Sequence, residues 1–237
     1  MKNLLCYQCI NYLRTKNYIP PFSIFILFIV VNYTFVPNPI LDSYSFTSIM
    51  LFFLMGWFTI TVFHTEEEGQ KVITILHSKG QSAYNRSLFI VCVAIAFCLS
   101  TVSVIYPTLI GAFSEPPSVL HLLMGFLSHF SLSVLAIALS AIFTRELIRD
   151  RQNTWWGVLS ILIIAVVIAT LKKCNPTSER SYLAAPPCSS SFRNDELRRQ
   201  FEIYTHRFFY WQFAWIFIYS MLWIGLFFFF LRHKRKW

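Results

Sequence analysis

Six stretches of at least 17 residues in this chain contain no Asp, Glu, Lys or Arg, and that spacing of charge constrains the fold more than any motif does. They cover residues 20–36, 45–63, 88–106, 118–143, 155–171 and 208–231. Crossing the ~30 Å hydrocarbon core of a bilayer takes about 20 apolar residues at ~1.5 Å each, so each run predicts a spanning segment. Lipid offers no partner to an open backbone, and the runs lack the period-two alternation of a barrel, which leaves helices. Composition agrees, since 56% of the residues are hydrophobic and only 13% charged, against roughly 25% charged in soluble domains. The predicted fold class is all-α: a polytopic membrane protein whose six transmembrane helices form one domain over residues 1–237. The same numbers exclude a soluble domain, a disordered chain and a small disulfide scaffold, and no segment has the Lys/Arg density of a nucleic-acid site.

Six spans put both termini on one side, and the basic residues choose the side. Lys2, Arg14 and Lys16 precede the first run; Lys71, Lys79 and Arg86 join the second to the third; Arg145, Arg149 and Arg151 join the fourth to the fifth; Arg232, Lys234, Arg235 and Lys236 follow the sixth. These are 13 of the 20 Lys and Arg residues, whereas residues 37–44 and 107–117 carry none. The positive-inside rule then places the termini in the cytoplasm and the chain in the plasma membrane. The other seven basic residues fall in the long segment 172–207, and long translocated loops obey the rule weakly. Residues 1–19 are too polar for a signal peptide. Leu5, Cys9, Ile10 and Leu13 recur there at helical spacing, which predicts an amphipathic helix in the inner headgroup plane before Pro20 and Pro21 turn the chain inward; a leader without structure is the alternative.

Few residues carry chemistry. Cys6 and Cys9 form a CxxC with no second ligand pair at zinc spacing, so no metal is expected. Cys174 and Cys188 both fall in the long outer loop, as a bridge or as two free thiols. His129 sits mid-span beside Ser128, Ser131 and Ser133; without a carboxylate in any span, an interhelical hydrogen bond competes with a proton relay. Glu66, Glu67 and Lys71 superficially imitate an intramembrane prenyl-endopeptidase motif, but they fall in a predicted loop. HExxH and GxSxG are absent, so no catalytic residue is assigned.

The informative segment reads TEEEGQKVITILHSKGQSAYNRSLF from Thr65 to Phe89 and contains most of the predicted cytoplasmic loop, residues 64–87. Glu66, Glu67 and Glu68 lead through Gly69 to the apolar stripe Val72, Ile73, Ile75 and Leu76, followed by a break at Lys79 and Gly80. That pattern predicts a short amphipathic helix on the cytoplasmic face, with Ser82 as the cap of the helix re-entering the membrane. Four large apolar residues outside the bilayer point to a docking surface.

On these residues the chain resembles the permease subunits of ABC-2-type ABC transporters, and among them the small bacterial permeases that export peptides or toxins or confer immunity to them. The resemblance implies an N-terminal interfacial helix, six spans, a coupling helix after the second span, and a longest outer loop between the fifth and sixth, here 172–207. Glu67, Glu68, Gly69, Leu76, Gly80, Ser82 and Arg86 stand at the family's coupling positions, with Gln70 where Thr is usual and Lys79 or Gly80 where Pro is usual. It implies that Glu67, Glu68, Gly69, Val72, Ile73, Ile75, Leu76 and Arg86 contact a separate ABC-type ATPase subunit. Arg145, Arg149 and Arg151 form either a second contact or a solvated turn. ATP and Mg would be bound by that partner, since this chain has no GxxxxGK[ST] loop and needs no cofactor of its own.

The family pairs two permease subunits, identical or paralogous, in membrane lipid. Ser100, Thr101, Ser103, His129, Ser131, Ser133, Gln212 and Tyr219 are the uncharged candidates to line a pathway, suiting an amphipathic or hydrophobic cargo better than an ion. Leu197, Phe201, Tyr204 and Phe208 recur at helical spacing, as an outer lid or as an extension of the sixth span. The competing functions are a stand-alone membrane immunity or binding protein and an intramembrane protease.

Overall fold

The structure, a computed structural model, describes residues 2–78, 80–144, 151–173 and 194–234. Within them the chain forms α1 (Lys2–Thr15), α2 (Ile19–Asn32), α3 (Ile40–Phe63), α4 (Glu68–His77), α5 (Gln81–Leu109), α6 (Val119–Ile142), α7 (Arg151–Lys173) and α8 (Asn194–Lys234). No strand occurs among the described residues, where the extended pairing is a single parallel bridge between Asn38 and Phe113.

Among the described residues, four helices are long and apolar enough to cross a membrane: α3, α5, α6 and the Phe213–His233 part of α8. A fifth is reached if α1 and α2 count as one span broken by a 78° bend. The six uncharged runs therefore do not all become full-length helices. The first run stays helical only to Asn32, where the N–H of Tyr33 bonds back to the carbonyl of Ile29 and the chain leaves the helix. Fourteen residues rise only about 21 Å, short of the ~30 Å core. The fifth run, 155–171, by contrast lies wholly within the 23-residue α7.

Helix α3 is the centre of the bundle. It packs along α6 most extensively and also touches α2, α5 and α7, while α6 adds contacts with α5, α7 and α8. In lipid, helices associate by close fit rather than by escape from water, which favours small residues at the crossings. Gly56 on α3 meets α7 so closely that a methyl there would lie 2.5 Å from Leu162 Cδ1. Gly125 on α6 receives the ring of Tyr44, with Cδ2 and Cε2 at 2.9 Å from where a Cβ would stand. Where α3, α5 and α8 converge, Phe63, Phe89 and Phe227 meet edge-on at centroid separations of 5.3 to 6.1 Å.

The two ends of the bundle differ. At one end, the Asn38 N–H bonds to Ala112 O at 3.0 Å and the Ser114 N–H to Asn38 O at 3.2 Å, so the α2–α3 and α5–α6 connections are joined. Ser118 then opens α6, its hydroxyl accepting from the His121 N–H at 3.4 Å. At the other end lie α1, α4 and the start of α5. There the cap of α5 is Gly80 rather than the predicted Ser82, which sits inside the first turn. Gly80 has φ of 96°, a left-handed conformation that costs glycine nothing and lets α4 break sharply from α5.

Candidate coupling surface and its anchor

Helix α4 forms where the apolar stripe predicts a helix, though it starts at Glu68, so Gly69 and Gln70 lie in its first turn. Its four large apolar residues divide. Val72, Ile73 and Leu76 are 57%, 59% and 78% exposed, whereas Ile75 packs against the core with Lys71, Thr74 and Ser78 partly covered beside it. Residues 71, 74, 75 and 78 share one face at the 3.6-residue period, and 72, 73 and 76 share the other. An isolated helix of ten residues is marginal in water, so the inward face has to hold it.

The anchor is Tyr84, only 1% exposed and the largest fully buried side chain of the chain's described core. Its hydroxyl donates to Glu66 Oε2 at 3.1 Å, at the entry to α4. Its backbone carbonyl accepts from Gln8 Nε2 on α1 at 3.5 Å. Lys71 Nζ stands 6.0 Å from the ring centroid, at the reach of a cation–π contact. Two more bonds bind α1 into the joint: Gln70 Nε2 donates to Tyr7 Oη at 2.8 Å, and Tyr12 Oη pairs with Thr61 Oγ1 at 2.9 Å. Helix α1 thus turns the polar residues Gln8 and Tyr12 inward and leaves Ile10 and Leu13 about half exposed.

Burial at Glu66, which is 6% exposed, pushes its carboxyl above the usual range, against the opposing effects of the Tyr84 and Thr74 bonds and the Lys71 charge. Oε1 of Glu66 has no hydrogen-bond partner. Between α1 and α4 runs a groove of about 600 Å³, mostly apolar, bordered by Leu4 and Tyr7 on one side and Ile73, Thr74 and His77 on the other, with Ala83 at its floor. Glu67 and Glu68 are exposed, and exposed Arg86 folds back to donate from Nε to Ser82 O at 3.1 Å. Arg145 and Arg149 lie outside the described residues, as do Cys174 and Cys188; Arg151 begins α7. Cys6 and Cys9 are both exposed on α1, and partial burial with Cys6 nearby pushes the Cys9 thiol up, away from the reactive thiolate.

The residues predicted to line a pathway lie mostly inside this single-chain bundle. Ser100, Ser103, His129, Ser131 and Ser133 are fully buried. Ser103 donates to Leu99 O at 2.9 Å, Ser131 to Ser128 O at 3.2 Å and Ser133 to His129 O at 2.7 Å, so these three hydroxyls are spent on their own helices, whereas the buried Ser100 Oγ has no hydrogen-bond partner. His129 bridges α6 to α3, with Nδ1 2.6 Å from Gly125 O and Nε2 2.9 Å from Thr47 Oγ1. A carbonyl only accepts, so in the neutral ring Nδ1 carries the proton, and the single Thr47 hydroxyl proton is shared between His129 Nε2 and Ser43 O, each 2.9 Å away. Thr101 bonds to Phe97 O at 2.8 Å, and Tyr219 is 51% exposed on α8, which also carries Gln212. Ser103 borders a small pocket beside α2, and Thr101 a separate apolar one between α5 and α6. Tyr84 and Gln8 are absent from the sequence-predicted site because a bond between residues 76 positions apart leaves no local signal.

No protein-family model, curated protein or solved structure matches this chain.

Proposed function

We propose that the chain is the membrane-spanning permease subunit of an ATP-driven ABC exporter, and that α4 is the surface a separate ATPase subunit engages. The observation that carries this reading is the division of α4: an outward apolar face of Val72, Ile73 and Leu76 on a helix held from behind by Ile75 and the Tyr84 joint. A connector exposed to water gains nothing from three large apolar side chains, whereas a docking helix needs them. The α4 end is the cytoplasmic end, by the excess of Lys and Arg at 2–16, 71–86 and 232–236.

In this arrangement α1 lies along the inner headgroups, its half-exposed Ile10 and Leu13 toward lipid, and the 78° bend at residues 16–18 separates it from α2. Helices α2, α3, α5, α6, α7 and α8 are the six crossings, α2 being the short one. A single chain packs its polar residues inward, so the pathway forms against a second permease subunit. ATP and Mg²⁺ act in the partner ATPase, whose closure displaces α4. The Glu66–Tyr84 bond then passes the displacement to α3 and α5, and Gln8 carries α1 along. The cargo class that suits an uncharged, aromatic-rich membrane domain is an amphipathic peptide or similarly hydrophobic molecule.

The test is recruitment of a separate ABC-type ATPase subunit, sought first among the products of the neighbouring genes. Ile73→Asp with Leu76→Asp places charge on the outward face without touching Ile75. Truncating interface anchors commonly costs about 2 kcal/mol or more, and each ~1.4 kcal/mol is tenfold in affinity, so co-purification and transport in lipid vesicles should collapse while expression stays normal. An ATPase still recruited by the double variant, with transport intact, would reduce α4 to a connector.

A further inference from the structure

A second pocket lies at the α4 end of the bundle, where the α1–α2 corner meets α3 and α7. It encloses about 230 Å³ between Lys16, Asn17 and Pro20 of the corner, Thr61 and His64 at the end of α3, and the paired indoles Trp57 and Trp155. Its surface is more polar than apolar, unlike the groove beside α4. Among its described lining residues there is no carboxylate. Lys16 holds φ of 55°, the left-handed region that few residues other than glycine adopt. It is kept there by the Lys16 N–H to Leu13 O at 3.4 Å and the Ile19 N–H to Lys16 O at 3.1 Å, a corner that leaves the lysine on the pocket wall. Strain of this kind persists where surrounding structure demands it, and binding sites are a common setting.

The depth is also informative. His64 caps α3, while Trp57 lies seven residues back, about 10 Å along the axis. Trp57 and Trp155 meet edge-on at 5.9 Å, and indoles with one wet and one apolar edge gather at the level of lipid headgroups. Beyond Pro20, exposed Phe22 and Ile26 continue along α2 as surface for acyl chains.

We propose that this pocket is a binding site for the phosphate of an anionic lipid headgroup, held by the Lys16 ammonium with Asn17 and His64 beside it and the two indoles below. Basic pockets between spanning helices on the cytoplasmic side have the chemistry for such headgroups. A free phosphate would satisfy the same cation, but it gives no role to an aromatic pair sunk toward the hydrocarbon. The inference rests on the proposed placement of this end at the inner leaflet and not on the ATPase.

Delipidated full-length protein in detergent, titrated with phosphatidylglycerol, phosphatidylcholine or inorganic phosphate, provides the test. Native mass spectrometry reads the lipids and thermal stabilisation reads the phosphate. Phosphatidylglycerol should be retained about fivefold better than phosphatidylcholine, the scale of one lysine at a membrane surface. Lys16→Asn, a residue that tolerates the left-handed backbone, should erase the preference. Arg14→Gln, two residues back in the last turn of α1 and outside the pocket's described lining, should preserve it. Lys16-dependent stabilisation by phosphate alone would support the anion site with a soluble occupant. Equal retention of the two lipids with no effect of phosphate, or a preference that survives Lys16→Asn, overturns it. Labelling a Ser78→Cys variant only from outside the cell would overturn the orientation while leaving the retention measurement intact, so the two readings fail separately.

Discussion

Gly125→Ala is the substitution whose cost follows most directly from the packing of α3 on α6. The new methyl carbon would stand 2.9 Å from two ring carbons of Tyr44 and 3.2 Å from a third, whereas carbon atoms in contact prefer about 3.5–4.0 Å. The ring has no retreat: it is 3% exposed and wedged edge-on between Phe113 at 5.3 Å and His129 at 5.9 Å. Helix α6 must therefore move, stretching the 2.9 Å contact between His129 and Thr47. Overpacking typically costs ~1–3 kcal/mol, and a ring that cannot yield puts this site at the upper end; the better helix propensity of alanine returns up to about 1 kcal/mol, leaving a net loss of roughly 2 kcal/mol. Gly225 on α8 is the internal control, because nothing lies within 4 Å of a Cβ there and Gly225→Ala should be neutral or slightly stabilising. Reversible unfolding in mixed micelles measures both. Adding Tyr44→Leu should recover at least ~0.5 kcal/mol relative to the sum of the single changes. If Gly125→Ala behaves like Gly225→Ala, or the two sites prove additive, the close approach of α3 and α6 is misplaced.

The bridge between His129 and Thr47 should be worth about 0.6 kcal/mol in a His129→Gln, Thr47→Val double-mutant cycle, the usual scale for hydrogen bonds between membrane helices; a coupling near zero would remove it as a helix tie. Glu66 supplies a pH dependence. Its carboxyl titrates above the ordinary value of 4.5 when folded, so its contribution to stability is fully present below pH 4.5 and is lost as pH rises through the folded value. Unfolding midpoints of the wild type should fall across that window while Glu66→Gln, whose amide oxygen still accepts from Tyr84, stays flat; parallel profiles would count against a buried carboxyl.

What could be read from the chain alone follows from how local each cause is. Uncharged runs determine that helices form in lipid, and the stripe at 72–76 determines that α4 is a helix, because both signals sit within a few turns. Which of Val72, Ile73, Ile75 and Leu76 faces the bundle depends on where Tyr84 and Glu66 stand, and spacing within α4 carries no such information. The span at 20–36 reads as one helix because its residues are apolar throughout; it stops at Asn32 because the following turn is committed to the pairing of Asn38 with Ala112 and Ser114, more than 70 residues away. The serines of α6 read equally well as pathway or packing until the partners of their hydroxyls are known, and these turn out to be carbonyls of the same helix. The cap at Gly80 in place of Ser82 reflects a left-handed turn that the side-chain oxygen of a serine does not reveal.

The backbone bonds of Asn38 have a mechanical consequence. They tie the start of α3 to the end of α5 through the backbone, while the far ends meet through side chains, Glu66 bonded to Tyr84 and Phe63 packed edge-on against Phe89. Two rods fastened firmly at one end and lightly at the other behave as tongs, with Asn38 as the fulcrum. Helix α3 has 24 residues and is about 36 Å long, so a tilt of only about 5° about that fulcrum carries its α4 end through about 3 Å. In the proposed permease, a push of that size on α4 would open the tongs at that end while the backbone clasp at the other stays closed.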